Sequence, residues 1–311
     1  MNTFVLYITT VMIWGSTWLA IKFQLGTVSP DVSVAYRFSI AAMVLIAWAV
    51  IRGKDMRYPL RDHLWIALQG FFLFSANYYI FYVASLHLTT GLVAVVFSTI
   101  VPMNIIFGRI FFKTPATFRV VGGAVLGLGG LMLVFRPEIE NFSFSDSGAF
   151  GLALCLFATT LASLGNMASA RNQRRGLPVM QTNTYGMLYG SIFTFIFAYF
   201  SGSEFTFDPS VKYISSLLYL ALFGSVVAFG AYLTLLGRIG AGRAAYASVL
   251  FPVVALTLSV FFEGYVFAPE ATIGAVLVLG GNILVLARGE HIKNILAFLF
   301  LRKPNKKGAG I

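Results

Sequence analysis

Apolar positions along this chain come in unbroken runs, not in the alternation of a half-buried strand or the narrow stripe of a soluble amphipathic helix. Ten such runs lie near the roughly 20 residues that a helix needs to cross a hydrocarbon core. They fall at about 4–23, 32–51, 63–86, 88–112, 117–135, 148–171, 179–200, 213–236, 239–262 and 269–287. Turn-forming residues cut the runs apart: Ser29-Pro30-Asp31, Lys113-Thr114-Pro115, Gly176-Leu177-Pro178, Asp208-Pro209 and Ala268-Pro269. The first run has no basic segment before it, and Trp14, Trp18 and Lys22 do not resemble a small-residue cleavage site, so it reads as a span, not as a leader. The pattern predicts an all-α polytopic membrane protein with ten transmembrane helices.

The pattern also repeats. Leu88 to Phe112 aligns without a gap on the stretch ending at Phe262 when shifted by 150, which sets Tyr82 on Tyr232, Ser98 on Ser248 and Pro102 on Pro252. At a shift of 151, Gly123 to Val134 lies over Gly274 to Val285. Self-similarity over half a chain points to duplication. The predicted units are residues 1–140 (helices one to five), 141–288 (helices six to ten) and a basic tail, 289–311. In that tail Ile295 to Leu301 is too short to cross and reads as an interfacial segment against anionic lipid.

Composition sets the solvent. Hydrophobic residues make up 58% and charged residues only 11%, where a soluble domain carries about a quarter charged. The formal charge of +11 does not point to nucleic acid, because the bases sit in short loops between apolar runs. With a cytoplasmic N-terminus, the inner segments hold 18 of the 22 Lys and Arg, against Arg136 and Lys212 outside and Lys22 and Arg37 within spans one and two. That asymmetry predicts that both termini are cytoplasmic. Five spans per unit is an odd number, so the second unit is expected upside down relative to the first. Secondary transporters use such inverted repeats, with the substrate site near the midplane between halves.

Chemistry at depth is sparse. No Asp or Glu lies deep in a span, His63, His87 and His291 sit at span ends, and Cys155 is the single cysteine. No cofactor, metal site or enzyme chemistry is expected, and a proton relay has no obvious carrier. The deep polar candidates are Asn77, Tyr78 and Tyr82 in span three, Thr159, Thr160, Ser163 and Asn166 in span six, and Ser225 in span eight. Ser98 and Ser248 each precede a proline by four residues, a spacing that frees their carbonyls and predicts a bend. Lys22 reaches the outer interface by snorkelling, whereas Arg37 lies roughly 9 Å inside span two at 1.5 Å per residue. Arg37 either holds an anionic group or bonds backbone carbonyls that lock spans one and two.

Trp14-Gly15-Ser16-Thr17-Trp18 followed by Lys22, Tyr36-Arg37-Phe38, and the Ala-Tyr-Ala-Ser run through Pro252 to Phe262-Glu263 resemble the EamA family of the drug/metabolite transporter superfamily. Within it they resemble the YddG type of aromatic amino-acid exporter. The resemblance implies a bacterial inner-membrane protein that exports amino acids or other metabolites through a central cavity lined by helices one, three, four, six, eight and nine. Carried onto this chain, the cavity residues are Trp14, Trp18, Asn77, Tyr78, Tyr82, Phe97, Ser98, Pro102, Ser163, Asn166, Ser225, Tyr232, Tyr246, Ser248 and Pro252; from their own charge, Lys22 and Arg37 are the candidate anion contacts. The acidic residue that often ends the fourth helix is Lys113 here, although its counterpart Glu263 is present, which sets the two halves apart. The expected partners are a small-molecule solute and the lipid bilayer, with a monomer as the simplest assembly. The alternative function is a proton-coupled multidrug or metabolite antiporter.

Overall fold

The structure, a computed structural model, describes residues 1–24, 26–88, 90–262 and 269–286. The expected tail at 289–311 and Glu263 lie outside the described residues, as do the side chains of Trp18 and Lys22. The regular elements among the described residues are all helices, with no strand. We label the helical units α1 (Thr3–Lys22), α2 (Pro30–Ile51), α3 (Leu60–Phe71, Phe72–Ala76 and Asn77–Ser85), α4 (Thr90–Phe97 and Ile100–Phe112) and α5 (Phe118–Val134). After a single turn at Arg136–Glu140 come α6 (Asp146–Arg174), α7 (Val179–Phe200), α8 (Val211–Tyr219, Leu220–Val227 and Ala228–Ile239), α9 (Ala241–Ala244 and Ala247–Phe262) and α10 (Pro269–Leu286). Among the described residues, six helical segments are long and apolar enough to cross a membrane, and shorter apolar helices cover Thr3–Thr17, Phe118–Val134 and Ala241–Val254.

Local chemistry sets the ends. Asn2, Ser145 and Ser210 accept the first free amides of α1, α6 and α8 through their side chains. Pro30 opens α2 at a position where no helical N–H is lost. Gly240, at φ 85°, makes the abrupt turn from α8 into α9 that a side chain would strain.

Packing is inside-out relative to a water-soluble protein. Met43, Val50, Val125, Ile196, Phe200, Val276 and Ile283 point outward, while Gln69, Asn104, Thr159, Asn172, Asn183 and Thr184 are fully buried. Hydrocarbon offers no hydrogen bonds, so polar groups must be satisfied within the bundle. α5 lies against α10 along a glycine seam: a Cβ on Gly274 would sit 2.4 Å from the carbonyl oxygen of Gly130, and one on Gly130 would sit 2.6 Å from that of Gly274. Lipid tails are as apolar as leucine, so it is this backbone approach that holds the pair together. α2 pairs with α7, α1 packs on α8 and α9, and α6 packs on α3 and α4.

α3 and α8 share an irregularity. Each widens into a π-helical segment, Phe72–Ala76 in α3 and Leu220–Val227 in α8, and the shift of 150 carries Ser75 onto Ser225 within them. Each serine is gripped from the neighbouring helix. Thr194 of α7 donates to Ser75 at 2.9 Å, and Nε of Arg37 in α2 donates to Ser225 at 2.8 Å. A π bulge turns an extra residue toward one face and commonly marks a functional site.

The helix breaks differ from the proline-centred bends expected from sequence. α4 is interrupted at Ser98-Thr99, before Pro102, and Pro102 then falls in the first turn of Ile100–Phe112, where its missing N–H costs little. The carbonyl of Ser98 takes the N–H of Val101 at 3.1 Å in a tight turn, and the Ser98 hydroxyl donates to Ala94. Pro252 lies inside Ala247–Phe262, and the Ser248 hydroxyl turns back to the Ala245 carbonyl. The carbonyl of Ser248 that Pro252 frees stands 3.5 Å from the Ser98 hydroxyl, so the two equivalent serines meet across the bundle.

Candidate functional site

A cavity of about 200 Å³ opens between the two halves of the chain, walled by α1, α2, α3 and α4 on one side and α6, α8 and α9 on the other. Its rings come from elements distant in sequence. Trp14 packs edge-on to Phe229 at 5.1 Å and tilted against Tyr232 at 5.0 Å, and its indole N–H donates to the Gly224 carbonyl at 3.2 Å. Phe97 faces Phe81 and Phe251. An aromatic bowl of this kind suits an apolar solute or a planar ring.

Of the residues anticipated from sequence, Trp14, Asn77, Tyr78, Tyr82, Phe97, Asn166, Tyr232, Ser248 and Arg37 line this cavity. Others stand behind its wall. Ser163 donates to Asn104 at 2.6 Å, Tyr246 donates to the Val120 carbonyl at 2.9 Å next to the α5–α10 seam, and Ser225 is occupied by Arg37 and by the Leu220 carbonyl. Ser98 at the break of α4, Pro102 in the helical turn after it and Pro252 inside α9 are not lining residues. Trp18 and Lys22 cannot be placed, their side chains lying outside the described set.

Arg37 is 4% exposed yet contributes to the cavity wall. Of its two anticipated roles, the carbonyl lock on α1 does not occur among the described contacts. Its Nε reaches α8 instead, and its guanidinium lies 5.3 Å from the ring centres of both Phe38 and Tyr78. Gly224 lets it sit there, since a Cβ at that position would come within 3.1 Å of Nη2.

Sequence reading missed several residues. Thr17, Ile21, Leu73, Phe81, Phe229 and Phe251 line the cavity, but nothing distinguishes them from packing residues along a span. Asn104 was the more detectable omission. It is fully buried in α4 and its Oδ1 accepts from Ser163 at 2.6 Å and from Asn166 at 3.4 Å, while Asn166 also donates to Tyr232 at 3.0 Å. An asparagine deep in an apolar run was the available signal.

A second polar network lies where α2 and α6 finish and α3 and α7 begin. Gln69 donates to Asn183 at 3.1 Å and accepts from Asn172 at 3.0 Å. Beyond it, Arg171 pairs with Asp62 at 2.8 Å and lies 4.9 Å from the Trp65 ring centre. These contacts join α3 of the first half to α6 and α7 of the second. The cavity draws on the C-terminal part of α1 and α3 and the N-terminal part of α2 and α4, and from the second half on the C-terminal part of α6 and α8 and the N-terminal part of α9. Among the described residues, no carboxylate lines it.

Comparison with known proteins agrees with this architecture. The profile of the EamA-like transporter family matches residues 1–136 and again residues 149–287. The chain is 30% identical over 264 residues to the uncharacterised inner membrane transporter YedA of Escherichia coli strain K12, covering 84% of this chain and 81% of that one. It is 23% identical to protein PagO of Salmonella typhimurium, over 91% of this chain and 93% of that one. It is 24% identical to the uncharacterised transporter YdfC of Bacillus subtilis, over 95% and 94%. One crystal structure superposes with a TM-score of 0.77 at 17% identity, covering 94% of this chain and 98% of its own, a likeness of fold alone.

Proposed function

Because the chain belongs to the EamA-like transporter family, we propose that this membrane transporter moves hydrophobic or aromatic amino acids and similar metabolites across a bacterial inner membrane by alternating access. The observation that carries the reading is the cavity itself: an aromatic bowl at mid-bundle, walled jointly by both halves of the chain. A rocking motion of one half against the other would expose such a site first on one side and then on the other.

The ten helical units, in this reading, each cross once and form two inverted repeats of five. Reciprocal packing supports it: α1 on α8 and α9 mirrors α6 on α3 and α4, while α2 meets α7 and α5 meets α10. The equivalent π segments, each gripped through its serine by α2 or α7, support it as well. The basic residues assign the end bearing Asp62 and Arg171 to the cytoplasm. In this reading the network of Gln69, Asn172, Asn183 and the Asp62–Arg171 pair is the cytoplasmic closure that must part for solute uptake.

Transport is passive in this account, since no carboxylate among the described residues reaches the cavity to carry a coupling proton. The test is purified protein in liposomes with labelled phenylalanine, tryptophan or leucine, with and without an imposed pH gradient. Saturable downhill exchange that an aromatic competitor inhibits is expected. Accumulation against a gradient driven by ΔpH would replace this reading with a proton-coupled antiporter.

A further inference from the structure

The cavity holds polar groups that its own walls do not satisfy, and they are of opposite electrostatic character. Arg37 contributes a cation. Its Nε is committed to Ser225, which leaves the Nη groups beside the cavity, and among the described residues no carboxylate lies within 4.0 Å of it. A buried cation without a counter-ion is costly, so such a residue in a membrane helix marks a place where an anion is received. Asn77 and Asn166 contribute acceptors. Both line the cavity, at 6% and 1% exposure, and the Oδ1 of each is buried with no hydrogen-bond partner. Buried amide oxygens are rarely left unpaired.

We propose that Arg37, Asn77 and Asn166 form a zwitterion-reading site, in which the guanidinium takes a solute carboxylate and the two amide oxygens take its ammonium. The apolar remainder of the solute rests against Trp14, Phe229 and Tyr232. This rests on the assignment of the cavity as the transport site and adds how its charged groups are chosen. Ser225 is a positioning residue: by holding Nε at the π bulge of α8 it fixes the fork of Arg37, whose planar geometry matches a carboxylate. A site with buried polar groups rejects an analogue lacking the matching group far more strongly than an apolar pocket rejects a change of size.

The wild-type chain tests the proposal without any substitution. Binding to purified full-length protein in detergent is measured for L-phenylalanine, for phenethylamine, which lacks the carboxylate, and for 3-phenylpropionate, which lacks the ammonium. L-Phenylalanine is expected to bind at least tenfold more tightly than either. Arg37→Gln should erase the discrimination against phenethylamine and keep that against 3-phenylpropionate, with Arg37→Lys partly restoring it. Asn77→Leu should do the reverse. A merely structural role would weaken all three probes in parallel and would overturn the assignment. Equal wild-type binding of the three probes would sink the zwitterion site while leaving an aromatic transporter in place. Binding of none would remove both the site and the aromatic reading beneath it.

Discussion

Asn104 shows how much a single buried amide organises. Its Oδ1 collects donors from Ser163 and Asn166 on α6, and its Nδ2 reaches the Ala241 carbonyl at 3.3 Å where α9 begins. Asn166 in turn holds the Tyr232 hydroxyl, so one wall of the cavity hangs from this cluster. Asn104→Leu strands the donors of Ser163 and Asn166 and is expected to destabilise the protein by about 1–3 kcal/mol. Thermal unfolding in detergent measures it. Adding Ser163→Ala to that variant should cost little more, because the two changes act through one network. Asn77, Tyr78 and Tyr82 could be nominated from sequence because polar and amphipathic side chains are conspicuous in apolar runs, and Trp14 and Tyr232 came with the family resemblance. Ser163, Ser225 and Tyr246 were equally conspicuous, and geometry turns them away from it. Periodicity in a span that is apolar all round does not say which face looks inward.

At the scale of elements, the α5–α10 seam separates glycines that matter from glycines that do not. Gly130 and Gly274 stand backbone to backbone, whereas a Cβ on Gly129 or Gly280 would meet nothing within 4 Å. Gly274→Val should therefore prise α5 from α10 and lower the yield of monodisperse protein several-fold in size-exclusion chromatography. Gly280→Val should elute like the parent, and equal behaviour of the two would refute the seam. Both helices are rich in glycine, the residue type that lets membrane helices approach closely. The π segments of α3 and α8 were not legible, because no residue type specifies a π bulge. Their place in the repeat appears only once Ser75 and Ser225 are seen gripped from α7 and α2. The proline spacing misled in a different way. Pro102 and Pro252 are equivalent in sequence, yet one falls in a first helical turn and the other inside a helix.

At the scale of the whole molecule, Asp62 and Arg171 join the two halves, with side chains 17% and 14% exposed. Asp62→Asn leaves Arg171 without its partner. The expected loss is about 1–3 kcal/mol, between the small value of an exposed pair and the larger one of a buried pair. If this pair belongs to the cytoplasmic closure, the same variant shifts the conformational balance. Exchange rates in liposomes should then change by severalfold, and combining Asp62→Arg with Arg171→Asp should restore them. Orientation is testable on the same protein. Cys155 is buried and is the single cysteine, so a cysteine introduced in the 202–212 loop should react with an impermeant thiol reagent from outside and one in 52–62 should not. The opposite pattern would reverse the orientation and with it the closure assigned to Asp62 and Arg171.

What the amino-acid sequence determined on its own was solvent and periodicity. Runs of about twenty apolar residues have one inexpensive solution in lipid, the helix, because every backbone group is then satisfied within its own segment. Duplication and the distribution of Lys and Arg are likewise linear properties, readable without coordinates. Tertiary structure alone decided which polar groups find partners. Ser225 and Arg37 are 188 residues apart, and Gln69 and Asn183 are 114 apart. Whether a buried side chain is a strut or a binding group depends on what stands opposite it, and that is set by helix packing. Asn104 is tied into a network while the Oδ1 of Asn77 stays unpartnered. In sequence the two are the same residue in the same kind of apolar run.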